Sequence, residues 1–224
     1  MDKKLLVFGD SHARVFGFMK TKINDIDITS FDISESTAIG CLNKKSVSGF
    51  FKKFNDFVSK SNDLNTYDNI LIMLGEIDCG FLIKVMSEKR KTSIEEQLKI
   101  STDNLFEFIE KHVCRHFPPE KIIICGSILS VIKDGVVWDD NIRKRNKSTQ
   151  KEKTDLTIKF NNILKDFSEN KNMNYIDITD DTIGENGLIN DKWLDVDEYE
   201  HHLPSNKIWR LWYNKINNLY LNKQ

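Results

Sequence analysis

The sequence is short of the residues that mark several protein classes. It has 3 Pro and 10 Gly in 224 residues, too few for a collagen-like or low-complexity chain. Hydrophobic residues make up 39% and charged residues 30%, which excludes a disordered chain. No sign of charge is in excess. Lys and Arg number 33 against 34 Asp and Glu, for a net charge of −1, whereas a dedicated nucleic-acid binder carries a basic surplus. Long apolar runs are missing too. Ile70 to Gly75 and Ile122 to Cys125 fall far short of the roughly 20 residues that a membrane span needs. Met1-Asp2-Lys3-Lys4 leads directly into Leu5–Gly9, an apolar run too short for a secretory signal and followed by no small-residue cleavage site. A cytoplasmic location is the expectation. The four cysteines, Cys41, Cys79, Cys114 and Cys125, form no CxxC pair. They read as buried free thiols rather than a zinc set or a disulfide framework.

What is present is alternation. Five short apolar runs, Leu5–Gly9, Ile26–Ile33, Ile70–Gly75, Ile122–Gly126 and Tyr175–Ile178, suit strands buried on both faces, as in a parallel sheet. Segments with helical spacing lie between and after them. Val47, Phe50, Phe51, Phe54, Phe57 and Val58 form one stripe. Ile94, Leu98, Leu105, Ile109 and Val113 form a second, of looser register. Leu156, Phe160, Ile163, Leu164 and Phe167 form a third, and Ile208, Leu211, Trp212, Ile216 and Leu219 a fourth. Such stripes bury one helix face against a sheet. The order β-α-β-α predicts a three-layer α/β fold of about five parallel strands with right-handed crossovers, in one domain over residues 1–224. A polar excursion at about 131–153, carrying Trp138 and a basic cluster at Arg143, Lys144, Arg145 and Lys147, interrupts the scheme. It reads either as a solvated loop or as a lid that brings Trp138 or an Arg to a ligand.

In open parallel sheets ligands sit outside the carboxyl ends of the strands, so the residues after each run carry the functional reading. Gly9-Asp10-Ser11-His12 follows the first, Ser36-Thr37-Ala38-Ile39-Gly40 the second, and Gly75-Glu76-Ile77-Asp78 the third. Asp195 to Pro204, with His201 and His202, precedes the last helical stripe. A serine at a strand end, with a histidine and carboxylates elsewhere, supplies the parts of nucleophilic acyl transfer. Backbone N–H groups of Ser11 and Gly40 would face the oxyanion.

These residues resemble the motif blocks of the SGNH (GDSL-type) hydrolases. Gly9-Asp10-Ser11 is similar to the first block, Gly40 to the second-block glycine, Gly75-Glu76-Ile77-Asp78 to the third block, and Glu198 to His202 to the last, Asp-x-x-His. The resemblance implies a flavodoxin-like αβα sandwich and an esterase or acyltransferase without cofactor or metal. Ser11 would be its nucleophile. The Gly-Glu-Ile-Asp form of the third block also resembles SGNH-like proteins of bacterial polysaccharide loci, which implies an O-acyl, above all O-acetyl, carbohydrate as substrate. The alternatives are an O-acyltransferase on a glycan and a non-catalytic glycan-binding relic.

Two departures bear on mechanism. The family's third-block Asn, an oxyanion donor, is Ile77 here, and Ile cannot donate. In the last block Glu198 lies three residues before His201, and Asp197 four before it. That spacing tips the reading to His201 as base with Glu198 or Asp197 orienting it, while the His202-Leu203 pair keeps His202 open. Asp10, His12, Asn43, Glu76, Asp78 and Trp138 are the candidate substrate contacts. Asp10 and Asp78 could instead hold Mg²⁺ on a similar sheet, and His112 and His116, four apart, have no evident third ligand.

Overall fold

The computed structural model describes residues 3–135, 147–197 and 200–221. Five parallel strands form one sheet: β1 (Lys3–Gly9), β2 (Ile26–Asp32), β3 (Asn69–Met73), β4 (Ile122–Cys125) and β5 (Asn174–Ile176). Their order is β2-β1-β3-β4-β5. Val7 of β1 stands opposite Ser30 on one side and Leu71 on the other. The chain therefore leaves β1 in one direction and returns on its far side, which opens a crevice beyond the ends of β1 and β3.

Among the described residues seven α-helices cover the two faces: α1 (Arg14–Lys20), α2 (Phe50–Lys60), α3 (Ile83–Arg90), α4 (Ile94–Phe108), α5 (Gln150–Asn170), the single turn α6 (Thr179–Thr182) and α7 (Ser205–Leu221). On one face Phe8, Phe50, Phe54, Phe108 and Phe160 pack with Leu6, Ile70 and Ile72. On the other Phe16, Trp212 and Ile216 pack with Leu5, Val7 and Leu71. Alternate residues of β1 thus enter opposite cores, as a strand covered on both sides requires. Phe8, Phe16 and Trp212 are wholly buried, each contributing on the order of 2–3 kcal/mol of transfer free energy. Three-layer α/β architecture is as the alternation predicts.

The helix starts have local causes. Thr149 and Glu152 form a reciprocal capping box at α5, and the Ser93 hydroxyl accepts the Glu96 N–H at α4. The looser register of the second stripe has a cause as well. After α4 the chain makes one wide turn, Ile109–Val113, with the Cys114 N–H donating to the Ile109 carbonyl five residues back. That extra residue rotates Val113 relative to Leu105.

Three expectations need correction. Val47 is not part of the α2 stripe: it is 95% exposed, because Gly49, at φ +68°, turns the chain before Phe50. Helix α3 went unseen because its surface is mostly Lys, Glu and Arg and its apolar spacing is faint. The polar excursion is narrower than 131–153, since Val131 and Ile132 are buried and α5 begins at Gln150. Trp138, Arg143, Lys144 and Arg145 lie outside the described residues. No helix among the described residues is long and apolar enough to cross a membrane.

Gly75 ends β3 at φ +132°, and a Cβ there would stand 2.4 Å from Phe160 Cε1. Gly75→Ala is expected to cost about 2–4 kcal/mol, from the backbone conformation and the overlap with α5. A urea midpoint equal to that of the wild type would contradict this account.

Candidate active site

The first three strands and the segment before α7 converge at one end of the sheet. Asp10 follows β1, and its Oδ1 accepts the His12 N–H at 2.9 Å. That bond closes a tight turn that leaves Ser11 partly exposed. Ser11 Oγ lies 2.8 Å from His202 Nε2. His202 Nδ1 is hydrogen-bonded to Glu200 Oε1, and the same oxygen accepts the His202 backbone N–H at 2.9 Å. With Nδ1–H donating to a carboxylate, Nε2 carries the lone pair and accepts the Ser11 hydroxyl. Arg14 Nη2 stands 3.8 Å from Glu200 Oε1.

The pairing expected of His201 therefore falls to His202. His201 packs against His202 instead, the rings tilted by 42° with centroids 3.8 Å apart. The orienting carboxylate is Glu200, not Asp197, which is exposed; Glu198 lies outside the described residues. Sequence spacing missed Glu200 because an acid three residues ahead of the histidine was sought. At two residues ahead, one carboxylate oxygen reaches both the main-chain N–H and the ring, a local turn that acidic side chains favour.

Burial and nearby positive charge make the His202 ring reluctant to protonate. Desolvation comes first, then His12 and His201, against the pull of Glu200, and its pKa falls to about 4. Burial raises the Glu200 carboxyl, but the His202 hydrogen bonds and the Arg14 charge outweigh it and hold it below the usual value.

Beside this chain sits a second histidine–carboxylate pair. His12 Nε2 is 3.3 Å from Glu76 Oε2, and the residues are 5% and 6% exposed. Burial opposes charge on both. The mutual attraction wins, raising the His12 pKa and lowering that of Glu76. Such a pair is not there for stability, since desolvating each ion costs several kcal/mol that the attraction only offsets. The His12 ring lies 4.5 Å from the His202 ring.

Asp78 and Gly40 act differently from expectation. Asp78 is fully buried, which raises its pKa. Its two oxygens accept the Ala38 and Ile39 N–H groups at 2.7 and 2.9 Å, so it clamps the loop after β2 to the end of β3. Its carboxylate is thereby spent on the main chain rather than on a substrate. The Gly40 N–H donates to Thr37 Oγ1 at 3.0 Å. Asn43 is exposed, with Oδ1 accepting the Lys45 N–H. Asp10 is buried, and burial first of all pushes its pKa up to about 6.

His12, His201 and His202 each bring a ligand atom within 4.8 Å of the other two. In this arrangement both nitrogens of His202 are taken by Ser11 and Glu200, and His12 Nε2 faces Glu76. His112 is remote from this site and packs on Phe51 and Phe108. A cleft of about 460 Å³ adjoins Glu200, lined by Val131, Lys133, Asp191, Leu194, Asp195 and Asp197. Another, of about 510 Å³, lies between β2 and α2 and touches none of the site residues.

No family model matches the sequence, and no curated protein matches it. Solved structures do match in fold. One is a GDSL-like lipase from Bacteroides thetaiotaomicron, with TM-score 0.58 and 13% identity, covering 96% of this chain and 88% of that one. Another is an extracellular lipase from Streptomyces rimosus, with TM-score 0.56 and 10% identity, covering 97% and 99%. A third is a psychrotrophic esterase from Pseudoalteromonas, solved with monoethylphosphonate as inhibitor, with TM-score 0.51 and 13% identity, covering 99% and 98%. The chain has the α/β fold of the GDSL (SGNH) acylhydrolases.

His202 is expected to stay neutral down to about pH 4. Glu200 favours its protonated form, so Glu200→Gln should move the titration lower still. Imidazole NMR titration reads both, and a midpoint near 6.5 in the wild type would contradict the geometry.

Proposed function

We propose that the protein is a serine-dependent ester hydrolase that removes an O-acyl group, above all O-acetyl, from a carbohydrate. The observation that carries the reading is the continuous chain from Ser11 Oγ through His202 to Glu200. Ser11 attacks the ester carbonyl, its proton passes to His202 Nε2, and the carbonyl π electrons move onto oxygen. The tetrahedral adduct collapses, the C–O bond to the sugar breaks, and the departing alkoxide takes the proton from His202. A water then repeats the sequence on the acyl-serine and releases the acid. Glu200 holds the ring in the tautomer that accepts at Nε2 and stabilises the imidazolium that forms. The Ser11 N–H faces the developing oxyanion, and the Gly40 N–H joins it once released by Thr37.

Fold likeness to lipases and esterases supports ester chemistry. The carbohydrate reading rests on the Gly-Glu-Ile-Asp block and on the polar cleft beside Glu200. Its carboxylates and Lys133 suit a polyhydroxyl ligand better than an acyl chain. Hydrolysis is favoured over transfer because Ser11 is partly exposed, so water reaches the acyl-serine.

A fluorophosphonate probe read by intact mass tests the nucleophile. One adduct is expected on the wild type, none on Ser11→Ala or His202→Ala, and a retained adduct on His201→Ala. Turnover of acetylated sugars should fall at least ~10³-fold in Ser11→Ala. Product that depends on an added sugar acceptor would instead make the protein a transferase. A folded wild type that takes no label and turns over no ester would leave glycan binding as its role.

A further inference from the structure

The reaction proposed above places a full negative charge on the substrate oxygen, and that charge needs fixed donors. Few stand ready. The Gly40 N–H is engaged by Thr37 Oγ1 at 3.0 Å, and Ile77 offers only hydrocarbon. Another group with a hydrogen to give stands at the same strand ends. His12 follows Ser11 directly, is 5% exposed, and has its ring 4.5 Å from that of His202. Its Nε2 is turned to Glu76 Oε2 at 3.3 Å. That contact is an ion pair rather than a well-aligned hydrogen bond, since neither His12 Nε2 nor Glu76 Oε2 meets hydrogen-bond geometry, and no hydrogen bond of the described residues engages Nδ1. Neutral imidazole has one donor nitrogen, and imidazolium has two. A carboxylate held against Nε2 in a buried site favours the second form and fixes the ring's orientation.

We propose that His12, fixed by Glu76, is a further catalytic residue, donating from Nδ1 to the substrate oxyanion in place of a side-chain amide. The inference rests on the reading of Ser11 as nucleophile. It explains why an otherwise costly buried pair stands beside the serine, and why a hydrocarbon is tolerated at position 77. The charge on His12 answers to its surroundings. Asp10, after β1, and Glu76, after β3, favour it, while Arg14 of α1 opposes it. Asp78 is the remaining buried carboxyl at these strand ends, and His201 and His202 face the ring from the segment before α7. The resultant raises His12 above the ordinary histidine value of 6.5.

Activity is therefore expected to fall on the alkaline side as His12 loses its second proton. Hydrolysis of p-nitrophenyl acetate across pH, on the whole protein, tests this. His12→Ala should lower kcat by about 10²–10³-fold with KM little changed, and should remove the alkaline fall. His12→Gln, which keeps a neutral donor, should retain more kcat than His12→Ala and also lack that fall. Glu76→Gln should move the alkaline fall to lower pH, a displacement that a merely structural role would not produce. The last two variants are near in size to the originals, which keeps the test open if His12→Ala does not fold. Wild-type kcat in a folded His12→Ala, or an alkaline fall unmoved by Glu76→Gln, would overturn the proposal. Fluorophosphonate labelling run alongside separates the two readings. A labelled, active wild type indifferent to His12 sinks this inference alone, whereas an unlabelled, inactive wild type sinks the nucleophile and this inference with it.

Discussion

The hydrogen bond between Ser11 and His202 is the constraint around which the molecule is arranged. Its partners are 191 residues apart in sequence and 2.8 Å apart in space. One is set by the end of β1 and the turn closed by Asp10. The other is set by the segment ahead of α7, and α7 is itself fixed by Trp212 and Ile216 in the core shared with α1. Both cores contribute to the geometry. The face with Phe160 holds Gly75 and the start of the third-strand loop, and the face with Trp212 holds the histidines. A contact between residues so distant in sequence needs a rigid frame, and two packed faces supply it.

Three carboxyls stand buried side by side at the strand ends, and each is handled differently. Asp78 is satisfied by two main-chain N–H groups and so orders a loop. Glu76 is matched by an imidazole. Asp10 takes one main-chain N–H and is left with a pKa near neutrality, about 6. Concentrating acids this way is destabilising in itself, and perturbed groups gathered at one place are a mark of function rather than of folding. The fourth carboxylate, Glu200, is kept nearer to solvent, where Arg14 and His202 hold it ionised.

Sheet and helices were legible because burial on both faces writes continuous apolar runs, and burial on one face writes stripes. Leu5–Gly9 and Ile122–Cys125 are read from composition alone. The serine was legible because it directly follows a strand, where the crevice of an open parallel sheet lies. The histidine was harder. Adjacent residues His201 and His202 differ only in the direction each side chain takes, and direction follows from how Leu203 and Ile208 dock, which no local spacing encodes. Glu200 was missed for a related reason: its bond to His202 is a turn of two residues, not a helical spacing. The His12–Glu76 pair joins two strand ends 64 residues apart, and nothing in either motif announces the other.

The distance in sequence between Ser11 and His202 has a consequence for biosynthesis. Ser11 leaves the ribosome 191 residues ahead of His202. His202, and the α7 helix that follows it, come after all five strands of the sheet have been made. Until then the nascent chain carries Ser11 without its hydrogen-bond partner. The Ser11–His202 contact is thus among the last features of the fold to form, and a chain arrested before His202 would lack it.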